Sequence, residues 1–369
     1  MNDKKNKYML KHLYKKRGYD WWWHSFTGYN KQTGEAKAFF IEYFVINPEE
    51  SPDKPKLGQV RQAKELIPPS YVMVKAGCWG KNAKQIHNFY PVSQLKIDNK
   101  DFSVQIGECL KTEDRLVGEV FLSEADAAKP EYMSSSGSMR WDLKVEKQIT
   151  YDVGYGTSWL FRILKAFQMY WHVPGAKTNY TGTVYLDGEE FAVYPQASFG
   201  YADKNWGVDF TNPWLWLASS NLTSILSGKK LQNSCFDIGG GCPKVFGVNL
   251  AKNLLVFFSY EGKKYEFNFS KFWKPSSVRF SVVEKEETVV WSITAENSKI
   301  LLDVDITCPK NEMIFVHYES PEGKKEHNRL WNGGTGKGEL RLYKKVRKTL
   351  EIIEHAKVEN CGCEYGEHP

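Results

Sequence analysis

The sequence predicts an all-β protein made of two antiparallel β-barrel or sandwich domains packed together, with a few short helices. Three observations carry that expectation. Apolar and polar residues alternate over short stretches, as at 140–150, where Trp141, Leu143 and Val145 oppose Asp142, Lys144 and Glu146. Tight-turn dipeptides interrupt the stretches, Asp187-Gly188 and Glu261-Gly262 among them. Ring-bearing residues that favour strands are abundant, with 13 Trp, 20 Tyr and 21 Phe. A chain of 369 residues is long for one core, so two domains are expected.

Residues 1–18 form a basic segment, and 2–17 could be a short helix. Strand character begins near 19. Residues 38–46 are apolar and aromatic, and Asn47-Pro48 stops them. The stretch 49–58 is charged and Pro-rich, a loop. Further strands are expected at 71–76, 102–110, 115–122 and 140–150, with a polar connection at 123–138. At 157–172 the alternation breaks and apolar residues crowd, which suggests a helix or an apolar lid. Two hairpins follow, 183–193 about Asp187-Gly188 and 254–269 about Glu261-Gly262. Strands at 278–283, 288–295, 299–307, 313–317, 338–344 and 350–359 complete the pattern. The N-terminal β domain is placed at 19–195 and the C-terminal one at 196–369.

Several functional classes are disfavoured. The N-terminus is charged where a signal peptide needs an apolar stretch, and no run of about 20 apolar residues occurs, so a cytoplasmic protein is expected. Seven irregularly spaced cysteines argue for reduced thiols, and Cys361-Gly-Cys363 lacks zinc half-site spacing, so no metal is expected. Net charge is +6. Lys4, Lys5, Lys7, Lys11, Lys15, Lys16 and Arg17 crowd the N-terminus and could touch a membrane surface peripherally, although such runs are commonly solvated ends. No nucleic-acid-binding pattern is present, so no nucleic-acid partner is expected. Gly239-Gly240-Gly241 lacks the Lys-Ser/Thr of a phosphate loop and reads as a flexible loop. The Gly-rich run 333–338 precedes a strand rather than a helix, which disfavours phosphate there.

Three segments could carry chemistry. In Trp21-Trp22-Trp23-His24, strand alternation puts Trp22 and His24 on one face and Trp21 and Trp23 on the other. These rings suit either a pocket wall or a core with an interface. Glu42 lies inside the apolar strand 38–46, sharing a face with Phe40 and Phe44, while Tyr43 points the other way. Such a carboxylate must face solvent, be paired or sit in a cavity, and burial would raise its pKa. The third is Tyr201-Ala-Asp203-Lys204-Asn205-Trp206-Gly207, followed by Trp214 and Trp216 on one strand face. It is either a polar spot in an aromatic wall or an ordinary turn.

Residues 201–207 are similar to the Tyr-x-Glu/Asp-Lys-Asn-Trp-Gly segment of the tocopherol cyclase family, the enzymes that close the chromanol ring of vitamin E. Trp214-Leu-Trp216 resembles that family's Trp-Phe-Trp strand, and 38–48, 254–267, 292–297 and 338–343 resemble further segments in the same order. The resemblance implies two lipocalin-like β domains, each able to hold a small apolar ligand. It also implies an acid that protonates an alkene and a nucleophilic phenol nearby. On that implication Asp203 or Glu42 is the acid, and His24 or His172 the base. Trp22, Tyr43, Tyr201, Trp206, Trp214 and Trp216 form the wall, and Lys204 and Asn205 orient an oxygen of a hydrophobic small-molecule substrate. No metal or other cofactor is implied. Departures at Trp22-Trp-His24, Val208-Asp209-Phe210 and 358–363 imply a different substrate shape. A non-catalytic carrier of an apolar ligand and a scaffold without a cavity are the other readings. A titratable group facing a cavity separates the enzyme from the carrier.

Overall fold

The computed structural model describes residues 4–57, 68–154, 159–271, 273–323 and 326–367. Two large antiparallel sheets dominate it, as the alternation predicts. The first has 12 strands, contributed by Tyr19–Asn30 through Gly200–Gly207. The second has 11, from Trp214–Ser219 through Thr349–Gly366. Each wraps its own apolar core. Trp22, Tyr43, Trp141 and Tyr180 fill the first, and Phe236, Phe258, Trp291 and Leu340 the second. The first sheet curls until its edge strand Lys84–Tyr90 meets Arg115–Leu122. There the Asn88 amide donates to the Phe121 carbonyl at 2.7 Å and its oxygen accepts from the Phe121 N–H at 3.0 Å.

Both expected hairpins form. Asp187 and Gly188 take positive φ of 50° and 87°, and Glu261 and Gly262 take 42° and 87°. That is the twist a two-residue hairpin turn requires, and glycine adopts it without steric cost. Several expectations are revised. The basic N-terminus is helical only at Leu13–Lys16 among the described residues. The segment before it is held against the end of the first barrel, where Leu10 is buried, Asn6 bonds Glu113 and the Asn6 carbonyl accepts from Trp22. Four of its cations are engaged by the fold: Lys5 with Asp152, Lys7 with the Asn99 carbonyl, Lys15 with Glu49 and Arg17 with Glu322. Among the described residues of 157–172, only Trp159–Ile163 is helical, and Met169 already begins the 18-residue strand Met169–Leu186. Residues 239–241 belong to strand Cys235–Gly241, and 333–338 lie inside strand Glu326–Val346, so neither is a free loop.

Strand Gly200–Gly207 carries the 201–207 motif. It is hydrogen-bonded into the first sheet, between Tyr19–Asn30 and Met169–Leu186, although the sequence reading starts the C-terminal half at 196. A Cβ at Gly207 would lie 2.1 Å from the Gln168 carbonyl oxygen, so only glycine lets these strands close at that end. A third buried cluster, rich in aromatic rings, fills the space between the two sheets. All seven cysteines are free thiols. No helix among the described residues is long and apolar enough to cross a membrane.

Candidate active site

Register decides which side chains meet between the sheets. In a ladder, paired residues on neighbouring strands lie on the same face. Lys75 pairs with Glu42, Glu42 with Trp23, and Trp23 with Asp203. One row therefore crosses four strands on the face toward the second sheet. The adjacent row on that face runs Met73, Phe44, Trp21, Asn205, Trp171. The second sheet answers with a row of Gly239, Trp216, Glu364 and Asn332. The two faces meet around Trp171, whose ring lies against Gly239. A Cβ there would come within 2.8 Å of the ring, so the glycine is what admits the indole.

Between these faces lies an apolar cavity. Its outer part opens to the surface, and about 580 Å³ is counted only when the space of the open mouth is included. Trp171, Trp214, Leu255 and Phe269 line it. A narrower inner part is lined by Trp21, Phe210, Tyr318 and Glu364. Met169, Thr211 and Trp214 border both, so the two parts adjoin, and together they are termed the channel. The ring walls are mutually packed, with Trp21 stacked 5.0 Å from Tyr318 and 5.6 Å from Phe210.

Four carboxyl groups approach this space: Glu42, Asp203, Asp237 and Glu364. Glu42 is matched by the buried Lys75 ammonium at 2.5 Å. Lys75 also lies over the Tyr318 ring and donates to its hydroxyl at 3.2 Å. Glu42 thus takes the paired option and does not line the channel. Asp203 accepts from the Trp171 indole N–H at 2.8 Å, while its Oδ1 has no hydrogen-bond partner among the described residues. Burial, reinforced by the charges of Glu364 and Glu42, raises Asp203 to about 8. Asp237 accepts from the Tyr201 hydroxyl at 3.2 Å, and burial with Asp203 nearby holds it well above the ordinary carboxylate range. Glu364 is the carboxyl on the channel wall. Its Oε2 accepts from the Trp214 indole at 2.6 Å and its Oε1 from the Asn332 amide. Trp79 fixes that amide by donating to its oxygen at 2.7 Å. Burial outweighs both hydrogen bonds and raises Glu364 to about 7.

The remaining expected residues divide by face. Tyr201, Asn205, Trp214 and Trp216 are in the intersheet layer, and Trp214 lines the channel. Trp216 donates to the Tyr201 hydroxyl at 3.2 Å. Asn205 accepts from Tyr19 at 2.9 Å and leaves its Nδ2 unpaired among the described residues. Trp22, Tyr43, Lys204, Trp206, His24 and His172 lie on the opposite face, because each is one residue out of phase with the rows above. Trp22 and Tyr43 donate to the Asn6 and Leu110 carbonyls inside the first barrel. Lys204 is paired with Asp20, 3.9 Å above the Trp22 ring. Trp206 stacks on Tyr170 at 5.4 Å. His24 bonds the Tyr180 hydroxyl at 2.7 Å, and that hydroxyl donates to the Tyr201 carbonyl, so His24 Nδ1 is the donor. Burial keeps His24 well below the ordinary imidazole range. His172 is fully buried across from Lys204. A sheet separates both histidines from the channel, and neither reaches it as a base.

Glu364 was missed in the sequence, although a signal existed. It is a lone carboxylate following Cys361-Gly-Cys363, alternating with buried cysteines, the same signature that singled out Glu42.

The raised carboxyls make stability pH-dependent. Below about pH 4 folded and unfolded chains both hold these protons. As pH rises, the unfolded chain releases them first, while the folded chain keeps them until about 7 for Glu364 and about 8 for Asp203. The unfolded state then binds fewer protons, so stability falls through this window by up to ~1.4 kcal/mol per pH unit per group. The melting temperature is expected to drop between mildly acidic and mildly alkaline buffer, with a shallower slope in Asp203→Asn. An unchanged slope in that variant would mean that Asp203 ionises normally in the fold.

A family model described as tocopherol cyclase-like matches residues 51–367. No curated protein matches the sequence. Among solved structures, the chain is similar to a protein of Nitrosomonas europaea described as AttH, at 10% identity, over 95% of each chain and with a TM-score of 0.46. It is similar to CghA at 10% identity, covering 95% of this chain and 89% of that one, with a TM-score of 0.48. Kievitone hydratase from Nectria haematococca matches at 11% identity over 97% and 94%, with a TM-score of 0.47. No metal-binding group of three or more His, Cys, Asp or Glu residues occurs among the described residues.

Proposed function

The chain belongs to the tocopherol cyclase-like family, and from that premise we propose that it is an enzyme that protonates an alkene of a hydrophobic, prenylated or polyene-like substrate and so promotes its cyclisation or isomerisation. The observation that carries this reading is Glu364. It is a carboxyl raised to about 7 on the wall of an aromatic channel. A general acid works best when its pKa lies near the working pH. A carrier would do without a titratable group at that point.

The substrate enters with its apolar chain along the outer part, between Trp171, Leu255 and Phe269. The reacting alkene rests in the inner part against Glu364. The Glu364 O–H adds its proton to the less substituted alkene carbon, and the C=C electron pair forms the new C–H bond. The tertiary cation left behind faces Trp21, Trp214, Phe210 and Tyr318. Each ring stabilises it by up to roughly 2 kcal/mol in a desolvated site. An internal hydroxyl then closes the ring and loses its proton, or an adjacent C–H loses a proton and shifts the double bond. Either step returns a proton to the Glu364 carboxylate. Burial, with the Glu42 charge nearby, holds the proton on Glu364 toward neutral pH against the hydrogen bonds from Trp214 and Asn332 and the Lys75 charge.

The test is incubation with a prenylated quinol in heavy water, with mass spectrometry of the products. One deuterium at the carbon next to the new ring bond, dependent on protein, is expected. Recovery of bound but chemically unchanged quinol would favour the carrier and overturn the enzymatic reading.

A further inference from the structure

Three segments surround the channel mouth, and each contributes to its lining: Val153 and Phe167 from 153–168, Pro243 from 242–252, and Phe269 from 268–274. The first two are tied together by the bridge of Phe167 with Val245 and by the Phe246 N–H donating to the Ala166 carbonyl at 2.7 Å. The third is tied to the first where Asn268 donates to the Val153 carbonyl at 3.3 Å.

Their outward faces are unusually apolar. In the helix Trp159–Ile163, Trp159 is 67% exposed and Ile163 68%, with Leu160 and Leu164 exposed beside them. The short hairpin of Lys244–Val245 and Val248–Asn249 holds out Phe246 at 63% and Val248 at 65%. Trp273, at 50%, stands on the third segment. Half of the large apolar side chains exposed among the described residues are on these three segments. Isolated exposed apolar residues need no explanation, but a contiguous cluster around a channel mouth does.

The charge on the same segments has one sign. Arg162, Lys165, Lys244, Lys252, Lys271 and Lys274 lie on them, and none of the three contains Asp or Glu. Lys252 and Lys271 reach carboxylates on neighbouring residues, Glu367 and Glu266. Asp152, just before the first segment, is met by Lys5. Apolar tips flanked by cations match a bilayer surface with anionic headgroups, where the rings enter the acyl boundary and the cations meet phosphate and carboxylate.

We propose that this rim docks on an anionic lipid bilayer, with the channel mouth opening into the membrane, so that an apolar ligand passes between lipid and channel without crossing water. The docking differs from the expected contact through the basic N-terminus, whose cations are largely engaged by the fold. It holds whether the channel is catalytic or only carries a ligand, because its readout is binding rather than turnover.

The test is co-sedimentation of the full chain with phosphatidylcholine vesicles, with and without roughly one third phosphatidylserine. Binding to the anionic vesicles, weakened by salt, is expected. The double variant Trp159→Ser/Phe246→Ser should bind at least tenfold more weakly while keeping its melting temperature. Lys244→Glu/Lys274→Glu should lose the preference for phosphatidylserine. Equal sedimentation of wild type and both variants, or no vesicle binding by wild type, would overturn the proposal. A dimer in solution that the Trp159→Ser/Phe246→Ser variant dissociates would also overturn it, because a second copy would then cover the rim. Turnover of a short-chain, water-dispersible substrate should be unchanged in both variants, which separates failure of docking from failure of the proposed chemistry.

Discussion

Glu364→Gln is expected to lower turnover of a prenylated quinol by roughly 10²–10⁴-fold, the usual contribution of a positioned general acid. Glutamine keeps the side-chain length, and its amide oxygen can still accept from Trp214 or Asn332. Fold and substrate binding should therefore survive, and the loss should appear in kcat more than in KM. In wild type the rate should fall as pH rises past about 7, where Glu364 gives up its proton. Asp203→Asn should act differently. It removes a carboxyl that titrates near 8 behind the wall, so it should shift the pH profile more than it lowers the maximum. A Glu364→Gln enzyme with wild-type kcat would remove Glu364 from the mechanism. Loss of turnover in Asp203→Asn equal to that in Glu364→Gln would move the acid to Asp203.

Lys204→Met is expected to destabilise the fold by ~3–5 kcal/mol, because it leaves the Asp20 carboxyl buried without its cation. Both groups are fully buried and face the first barrel, away from the channel. Burial has already raised Asp20 to about 6 despite the ammonium beside it, and lowered Lys204 to about 8. The double variant Asp20→Asn/Lys204→Met should recover most of the loss, since it removes both charges together. Urea unfolding measures both variants. A stable Lys204→Met protein with impaired substrate binding would mean instead that Lys204 reaches the substrate.

This pair also explains why the 201–207 motif reads as a signature. Its residues alternate between two tasks. Lys204 and Trp206 hold the first barrel together, with Trp206 stacked on Tyr170. Tyr201, Asp203 and Asn205 face the intersheet layer, and Gly207 permits the close approach of Gln168. Residue type revealed the motif, while register divided its roles.

Much of the architecture was legible because it depends on local periodicity. The all-β class, both Gly-containing hairpins and the opposite facing of Trp22 and Trp23 follow from alternation and turn chemistry. So did the family, since its motif is contiguous. Glu42 stands out in the sequence as a carboxylate in an apolar strand that must face solvent, be paired or sit in a cavity; its partner Lys75 lies 33 positions away and meets it through strand pairing. The family resemblance places Asp203, Trp22, Tyr43 and the histidines about one pocket, and the sheet separates them. The helix or apolar lid expected at 157–172 is helical only at Trp159–Ile163 among the described residues, for a related reason. Crowded apolar residues look the same whether they fill a helix face, begin a buried strand at Met169 or stand exposed at a channel rim.

Alternation along a strand thus establishes which residues share a face, and it can be read directly from the chain. Which of the two faces meets the second sheet is a long-range matter. It depends on the register that aligns Lys75, Glu42, Trp23 and Asp203 across four strands and on Gly239 admitting the Trp171 ring. It depends equally on the terminal strand that brings Glu364 to a channel whose other walls come from strands as remote in sequence as that of Trp21. Cross-strand pairing joins residues remote in sequence through backbone hydrogen bonds that carry no side-chain identity, so the assembled site has no local signature to read.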